Sequence, residues 1–245
     1  MAALVRKLVA TAAVVAVAGG AAFWFLTMPQ RVPASEIAAL QPGDAARGER
    51  IFYAGGCTSC HAADKAEGDD VLRLAGGYQL KSDFGTFVAP NISQHPTDGI
   101  GAWSLEDFVN AMQRGVSPSG RHYYPAFPYA SYARMRTQDV ADLYAFMKTL
   151  PAVEGKAPRH QLGFPFSISR GVGLWKLLNL SSEPVLELGD ASPAVKAGQY
   201  LVEGPGHCGE CHTPRTLTFG LDTSRWLAGA PSADGRGRVP NVTPG

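Results

Sequence analysis

At 245 residues with 22 basic and 21 acidic side chains, the chain is long enough for one or two domains with their own cores. Its charge is too evenly balanced to leave the electrostatic footprint of nucleic-acid binding. The 28 Gly and 18 Pro predict turn-rich loops between few regular elements, and all four Cys fall in two copies of one five-residue pattern, which leaves none for a structural disulfide.

Near the N-terminus, Arg6 and Lys7 lead into an uncharged apolar stretch from Leu8 to Met28. Crossing a bilayer takes about 17 to 25 such residues. Cations on the short leading side predict a cytoplasmic N-terminus and export of everything after Pro29. In a bacterium this gives an inner-membrane anchor over residues 1–30 and a periplasmic body. A cleavable signal peptide is the competing reading, because Ala16-Val17-Ala18 before Gly19 has the small side chains of a cleavage site. Against it, apolar residues continue through Phe23-Trp24-Phe25-Leu26, where a signal peptide would already have turned polar.

Cys57-Thr58-Ser59-Cys60-His61 and Cys208-Gly209-Glu210-Cys211-His212 both read Cys-x-x-Cys-His, the attachment signature of c-type haem. Two thiols three positions apart on a helical turn can each add to one vinyl group of the same porphyrin, and the adjacent His then lies under the ring to bind iron. The expectation is two covalent haem c groups, with His61 and His212 as proximal iron ligands. A redox dithiol or half of a zinc site also uses Cys-x-x-Cys, but neither explains a His directly after the second Cys in both copies.

The motifs sit in an internal repeat. Arg47-Gly48-Glu49-Arg50-Ile51-Phe52 precedes the first and Ala197-Gly198-Gln199-Tyr200-Leu201-Val202 the second. Pro90-Asn91-Ile92 and Pro240-Asn241-Val242 follow, 33 residues past Cys57 and 32 past Cys208. The first copy continues into a helix opened by Ser104 and Asp107 as a variant capping box, with Leu105, Phe108, Val109 and Met112 on one face. A Pro-, Gly- and Tyr-rich loop follows over 115–136. A helix from about Thr137 to Leu150, with Val140, Leu143, Tyr144 and Met147 on one face, is stopped by Pro151. The second copy has no counterpart of these helices before Gly245, which predicts an incomplete second unit, as in a truncated form of a longer protein.

The repeat resembles class I cytochromes c. That resemblance implies an all-α fold of two tandem cytochrome c domains, 42–151 and 193–245, after an N-terminal transmembrane helix and joined by a linker over 152–192. It also implies that the Pro90 carbonyl accepts the hydrogen bond of His61 and the Pro240 carbonyl that of His212, fixing each ring. The linker's Phe164-Pro165-Phe166 and Gly173-Leu174-Trp175 are expected to pack the domains together, with Trp175 as interface core.

An electron-transferring cytochrome c usually fills the far side of its iron with Met, which raises the potential. Met112 and Met147 lie on apolar helix faces, where Met is more often core filling. Met135, in the loop before the last helix, is the expected sixth ligand of the first haem. No Met follows Met147, so the second haem takes none from its own half of the chain. His160 and His207 are read as surface or core residues.

Phe84-Gly85-Thr86-Phe87-Val88-Ala89-Pro90-Asn91-Ile92, Gly99-Ile100-Gly101-Ala102-Trp103-Ser104, Gly120-Arg121-His122-Tyr123-Tyr124-Pro125-Ala126-Phe127-Pro128-Tyr129 and Gly206-His207-Cys208-Gly209-Glu210-Cys211-His212-Thr213-Pro214-Arg215 resemble the cytochrome c subunits of membrane-bound bacterial dehydrogenase complexes for alcohols, gluconate and aldehydes. The likeness runs from about residue 45 to the end. It implies an electron-relay subunit, not itself an enzyme, that takes electrons from a dehydrogenase and delivers them to quinone, a cytochrome or a terminal oxidase. Two departures stand out: the better-known subunits carry three haem motifs rather than two, and they have Met where this chain has Phe127. A dihaem enzyme such as a peroxidase, which needs a displaceable sixth ligand, is the alternative. A haem-based gas sensor would need a signalling domain, and none is visible.

Overall fold

The computed structural model describes residues 1–233 and 235–244; Asp234 and Gly245, both within the expected second domain, lie outside the described residues. The first helix, α1 (Ala2–Leu26), is long and apolar enough to cross a membrane and buries no residue against the protein. It is followed by α2 (Ala34–Ala38) and α3 (Ala45–Ala54), then by the single turn α4 (Thr58–His61) that carries the first motif.

The core lies in the first repeat, where α3 packs across α7 (Thr137–Met147), with α5 (Leu105–Arg114) and the short α6 (Tyr129–Tyr132) against them. Phe52 from α3, Val109 from α5 and Val140 from α7 are fully buried at the centre, and Met112 and Met147 fill the same cluster. Local chemistry sets the helix ends. Asp44 caps α3 by accepting from the amides of Ala46 and Arg47 at 2.9 and 3.0 Å. Ser104 and Asp107 close the expected capping box on α5, and left-handed Gly115 ends that helix. The last predicted helix is shorter than expected, since α7 ends at Met147.

The crossing is close because Gly48 lets it be. A Cβ on Gly48 would stand 1.9 Å from the Asp142 carbonyl oxygen, in the backbone of α7. The Asp142 carboxylate is buried beside that contact and holds α3 by accepting from Arg47 Nε at 2.6 Å and from the Asp44 amide at 2.8 Å. Burial alone would push this carboxyl up, but the bonds from Arg47, the Asp44 amide and Gln138 outweigh it and hold it below the usual carboxylate range.

The structure is helix-rich as the expected all-α class requires, and a few short strands accompany the helices. β1 (Gln79–Ser82) and β2 (Gly85–Val88) form an antiparallel hairpin, with β3 (Gln161–Leu162) on the far side of β2. β4 (Ala230–Pro231) pairs with β5 (Arg238–Val239) in the second repeat. These strands are two to four residues long, too short to show an alternating pattern. Gly85, at φ +121°, admits β3 at a separation that a Cβ, 2.2 Å from the Gln161 carbonyl, would forbid.

After β3 the chain runs into α8 (Val172–Asn179), then α9 (Pro193–Glu203), capped by Ser192, and α10 (Gly209–His212), the turn of the second motif. Trp175 on α8 packs edge-on to Tyr129, with ring centroids 6.2 Å apart. It lines a cavity of about 220 Å³ between α8 and the second repeat, together with Arg134, Arg215 and Leu221. Gly48→Ala should lower the unfolding free energy by about 1–3 kcal/mol through forced separation of α3 and α7, which denaturant titration would measure.

Candidate haem-attachment site

Each motif is one helical turn. The His61 amide donates to the Cys57 carbonyl at 3.1 Å and the His212 amide to the Cys208 carbonyl at 3.0 Å, which brings each cysteine pair and its histidine to one end of the turn. The His61 ring donates through Nδ1 to the Pro90 carbonyl at 2.8 Å, and His212 Nδ1 to the Pro240 carbonyl at 2.9 Å. A carbonyl oxygen can only accept, so the proton of each ring is on Nδ1 and the lone pair is on Nε2. That is the tautomer an iron ion requires, and the donor set in each repeat therefore fits a covalently held haem: two thiols on one turn and one oriented imidazole.

Three further contacts recur in both repeats and were not read from the sequence. The Gly76 amide donates to the His61 carbonyl at 2.8 Å, and the Gly229 amide to that of His212 at 2.7 Å. Ile92 donates to the Leu74 carbonyl at 3.0 Å, and Val242 to that of Leu227 at 3.1 Å. Asn91 Oδ1 accepts from the Ser93 amide at 2.9 Å, and Asn241 Oδ1 from the Thr243 amide at 2.7 Å. The sequence signal is Leu74-Ala75-Gly76 against Leu227-Ala228-Gly229. Both glycines have positive φ, and a Cβ on Gly76 would lie 2.4 Å from the Pro90 carbonyl oxygen that takes the histidine's proton.

The four cysteines are free thiols with no disulfide. Burial pushes the Cys57 thiol up to about 12, and burial also raises Cys60 and Cys211. A redox dithiol needs the opposite, a depressed thiol. Among the described residues, no group of three or more His, Cys, Asp or Glu side chains is placed to hold a metal ion directly.

The two motifs lie side by side. His207 Nε2 donates to the Gly55 carbonyl at 3.2 Å, across the gap between the repeats, and the Cys211 charge contributes to the rise at Cys60. Glu210, inside the second motif, accepts from Ser131 Oγ of α6 at 2.9 Å and pairs with Arg215 at 2.8 Å. Farther along the contact, the Tyr200 hydroxyl donates to Asp139 of α7 while the Arg136 guanidinium lies 4.8 Å from the Tyr200 ring centroid. His207 is thus a contact between repeats. His160 is packed among Phe87 and Tyr124 and accepts from the Val88 amide at 3.0 Å.

Met135 is buried, and Gln113 Nε2 donates to its carbonyl at 2.7 Å. Its side chain lines a small cavity with Cys57, Met112, Tyr132 and Pro205. Phe127 lies among the rings of Tyr123, Tyr129 and Tyr132. Tyr200→Phe, which deletes the hydrogen bond to the Asp139 carboxylate and the one accepted from the Arg136 amide at 3.3 Å, should cost about 1.5–3 kcal/mol. The check is denaturant unfolding of the haem-loaded protein.

A family model described as Cytochrome c matches residues 45–151. The chain is 52% identical over 239 residues to the "Diheme cytochrome c-type" protein of Cereibacter sphaeroides, covering 98% of this chain and 80% of that one. It is 38% identical over 199 residues to the "Fructose dehydrogenase cytochrome subunit" of Gluconobacter japonicus, covering 80% of this chain and 40% of the subunit. Over 185 residues it is 37% identical to the "Alcohol dehydrogenase (quinone), cytochrome c subunit" of Gluconobacter oxydans, spanning 37% of that protein's length.

Proposed function

The chain belongs to the c-type cytochromes, and from that premise we propose that it is a dihaem electron-transfer subunit, anchored by α1 in the bacterial inner membrane with its haem-bearing repeats in the periplasm. Residues 42–151 and 193–245 are the two haem-bearing domains, joined by 152–192. Cys57 and Cys60 hold one haem c and Cys208 and Cys211 the other; His61 and His212 bind the irons through Nε2. The observation that carries this reading is the pair of histidines whose Nδ1 protons are both committed to a proline carbonyl.

Each haem, when bound, supplies a one-electron couple at its iron. What the chain supplies is position and environment. Pro90 and Pro240 orient the imidazoles and raise their donor strength by drawing on the Nδ1–H bond. The contacts of His207 with Gly55 and of Glu210 with Ser131 hold the two attachment turns against each other, a geometry suited to passing an electron within the chain. Electrons enter from the catalytic subunit of a dehydrogenase and leave to quinone, a cytochrome or a terminal oxidase. The relatives named as cytochrome subunits of fructose and alcohol dehydrogenases support the donor. The same names do not favour a peroxidase.

An uncleaved α1 is supported by how its end joins the body. Thr27 is fully buried; its carbonyl accepts from His122 Nε2 at 2.8 Å and its hydroxyl oxygen from Arg170 Nε at 2.8 Å. Cleavage after Ala18 would leave an apolar stub of α1 attached to this junction.

Met135 is the proposed sixth ligand of the first haem. Met135→Ala should lower that haem's potential by more than the ~59 mV that corresponds to a tenfold shift in a one-electron equilibrium and admit added ligands such as imidazole; an unchanged redox titration would remove Met135 from the iron.

Replacing both Cys57 and Cys60 by Ser should reduce covalent haem from two per chain to one, read as haemochrome absorbance against protein, and the Cys208/Cys211 pair should do the same. Purification of the tagged protein from its native membranes should bring down a dehydrogenase in stoichiometric amount. Recovery of the chain alone with peroxide turnover would overturn the relay.

A further inference from the structure

α8 is built the wrong way round for a helix facing water. Its cation points inward: Lys176 Nζ donates to the carbonyls of Arg114 and Gly115, at 2.5 and 2.8 Å, and lies 4.7 Å from the centroid of the Tyr129 ring. Gly173 is also on the inner side, where a Cβ would stand 2.7 Å from Thr27. At 100° per residue the opposite face carries Leu174 and Leu178, with Leu177 at the flank beside Gly173; Leu177 and Leu178 are 59% and 71% exposed. An eight-residue helix that turns its lysine inward and exposes its leucines presents that face to something other than water.

The apolar surface does not stop at α8. The chain enters α8 through Phe164-Pro165-Phe166 and Ile168; Phe164 is 84% exposed. The side chains of Phe166 and Phe219 both pack against Phe84, with centroids 4.8 and 4.9 Å away. At the other end of α8, Thr218 Oγ1 donates to Asn179 Oδ1 at 3.1 Å, which places the fully exposed Leu217 beside the C-terminal end of the helix.

The position of α1 says what covers this surface. α8 begins against Thr27, the residue directly after α1. Between them Arg170 donates to the Trp24 carbonyl at 2.7 Å and lays its guanidinium 4.2 Å from the Trp24 ring centroid. Trp and Arg at the end of an apolar span mark headgroup depth. All of α8, about 12 Å long at 1.5 Å per residue, therefore starts where the bilayer surface is.

We propose that α8 and the Phe164–Ile168 turn lie in the periplasmic face of the bilayer beside α1, with Leu174, Leu177 and Leu178 immersed among phospholipid acyl chains. The proposal rests on the reading that α1 spans the membrane. A single helix would let the haem-bearing body swing about its tether; a second, lateral contact fixes which side of the body faces the membrane.

The test uses the full-length, haem-loaded protein in phosphatidylethanolamine/phosphatidylglycerol vesicles, labelled from within the lipid by a photoactivated carbene reagent and read by peptide mass spectrometry. Residues 164–168 and 172–179 should be labelled severalfold above exposed Tyr53 on α3 and Val195 on α9, and Leu177→Asp with Leu178→Asp should abolish the excess on α8 while leaving α1 labelling and the haem spectrum unchanged. Labelling of α1 with α8 at the Tyr53 level would overturn the proposal and leave the membrane span intact. An unlabelled α1 would remove the span and this proposal with it. An α8 unlabelled in pure lipid and shielded from aqueous reagents in native membranes would assign the leucine face to a protein partner and overturn the bilayer contact.

Discussion

The hydrogen bond from a histidine Nδ1 to a proline carbonyl is the constraint around which each repeat is built. It fixes the imidazole tautomer, and it needs the proline carbonyl held within about 3 Å of the ring. Everything that recurs between the repeats serves that placement. A glycine amide closes on the histidine carbonyl, a leucine carbonyl receives the amide two residues after the proline, and an asparagine pins the turn that follows. In the first repeat the glycine must also lack a side chain, because the Pro90 carbonyl occupies the space a Cβ would fill. The hairpins β1–β2 and β4–β5 lead into Pro90 and Pro240 and deliver them to the histidines.

The parts of this arrangement that were legible in the sequence are those where covalent chemistry or strong local rules restrict residue type. Cys-x-x-Cys-His allows no substitution at its three defined positions. Ser104 and Asp107 at the start of α5 satisfy orphan amides in a way few other pairs do. Leu74-Ala75-Gly76 and Leu227-Ala228-Gly229 are just as closely repeated, but Leu, Ala and Gly are common residues, and three of them in a row carry no chemical signature. The strands were hidden for a different reason: at two to four residues they are shorter than the window in which alternation can be recognised, and Gly85 matters through its distance to Gln161, a contact across 76 residues of chain.

His207 shows how a residue beside a strong motif escapes notice. Its neighbour Cys208 invites the question of whether it binds iron, and the one-turn geometry answers only that it points elsewhere. Its partner, the Gly55 carbonyl, comes from the corresponding loop of the other repeat, so its role is visible only once both copies are folded and placed together. Glu210 is similar. It occupies one of the two unrestricted positions within a motif, yet with Ser131 and Arg215 it ties the second attachment turn to the first repeat. A variable position of the second motif is thus free to carry a contact between the repeats, because Cys-x-x-Cys-His restricts only the other three.

The linker was the least legible part, and the reason is physical. Periodicity reveals that a helix has two unlike faces, but the assignment of the polar face to water is an added assumption. α8 breaks it because the Arg114 carbonyl at the end of α5 needs a donor and Lys176 provides one to it and to the neighbouring Gly115 carbonyl. Burial draws that lysine down to about 7, a cost offset by those two carbonyls, by His122 Nδ1 at 3.1 Å and by the face of Tyr129. With Lys176 committed inward, the leucines have only the outside left. The same residues that join α8 to the first repeat therefore create the apolar face beside α1, so the packing of the linker and the outward turn of its leucines both follow from one inward-facing cation.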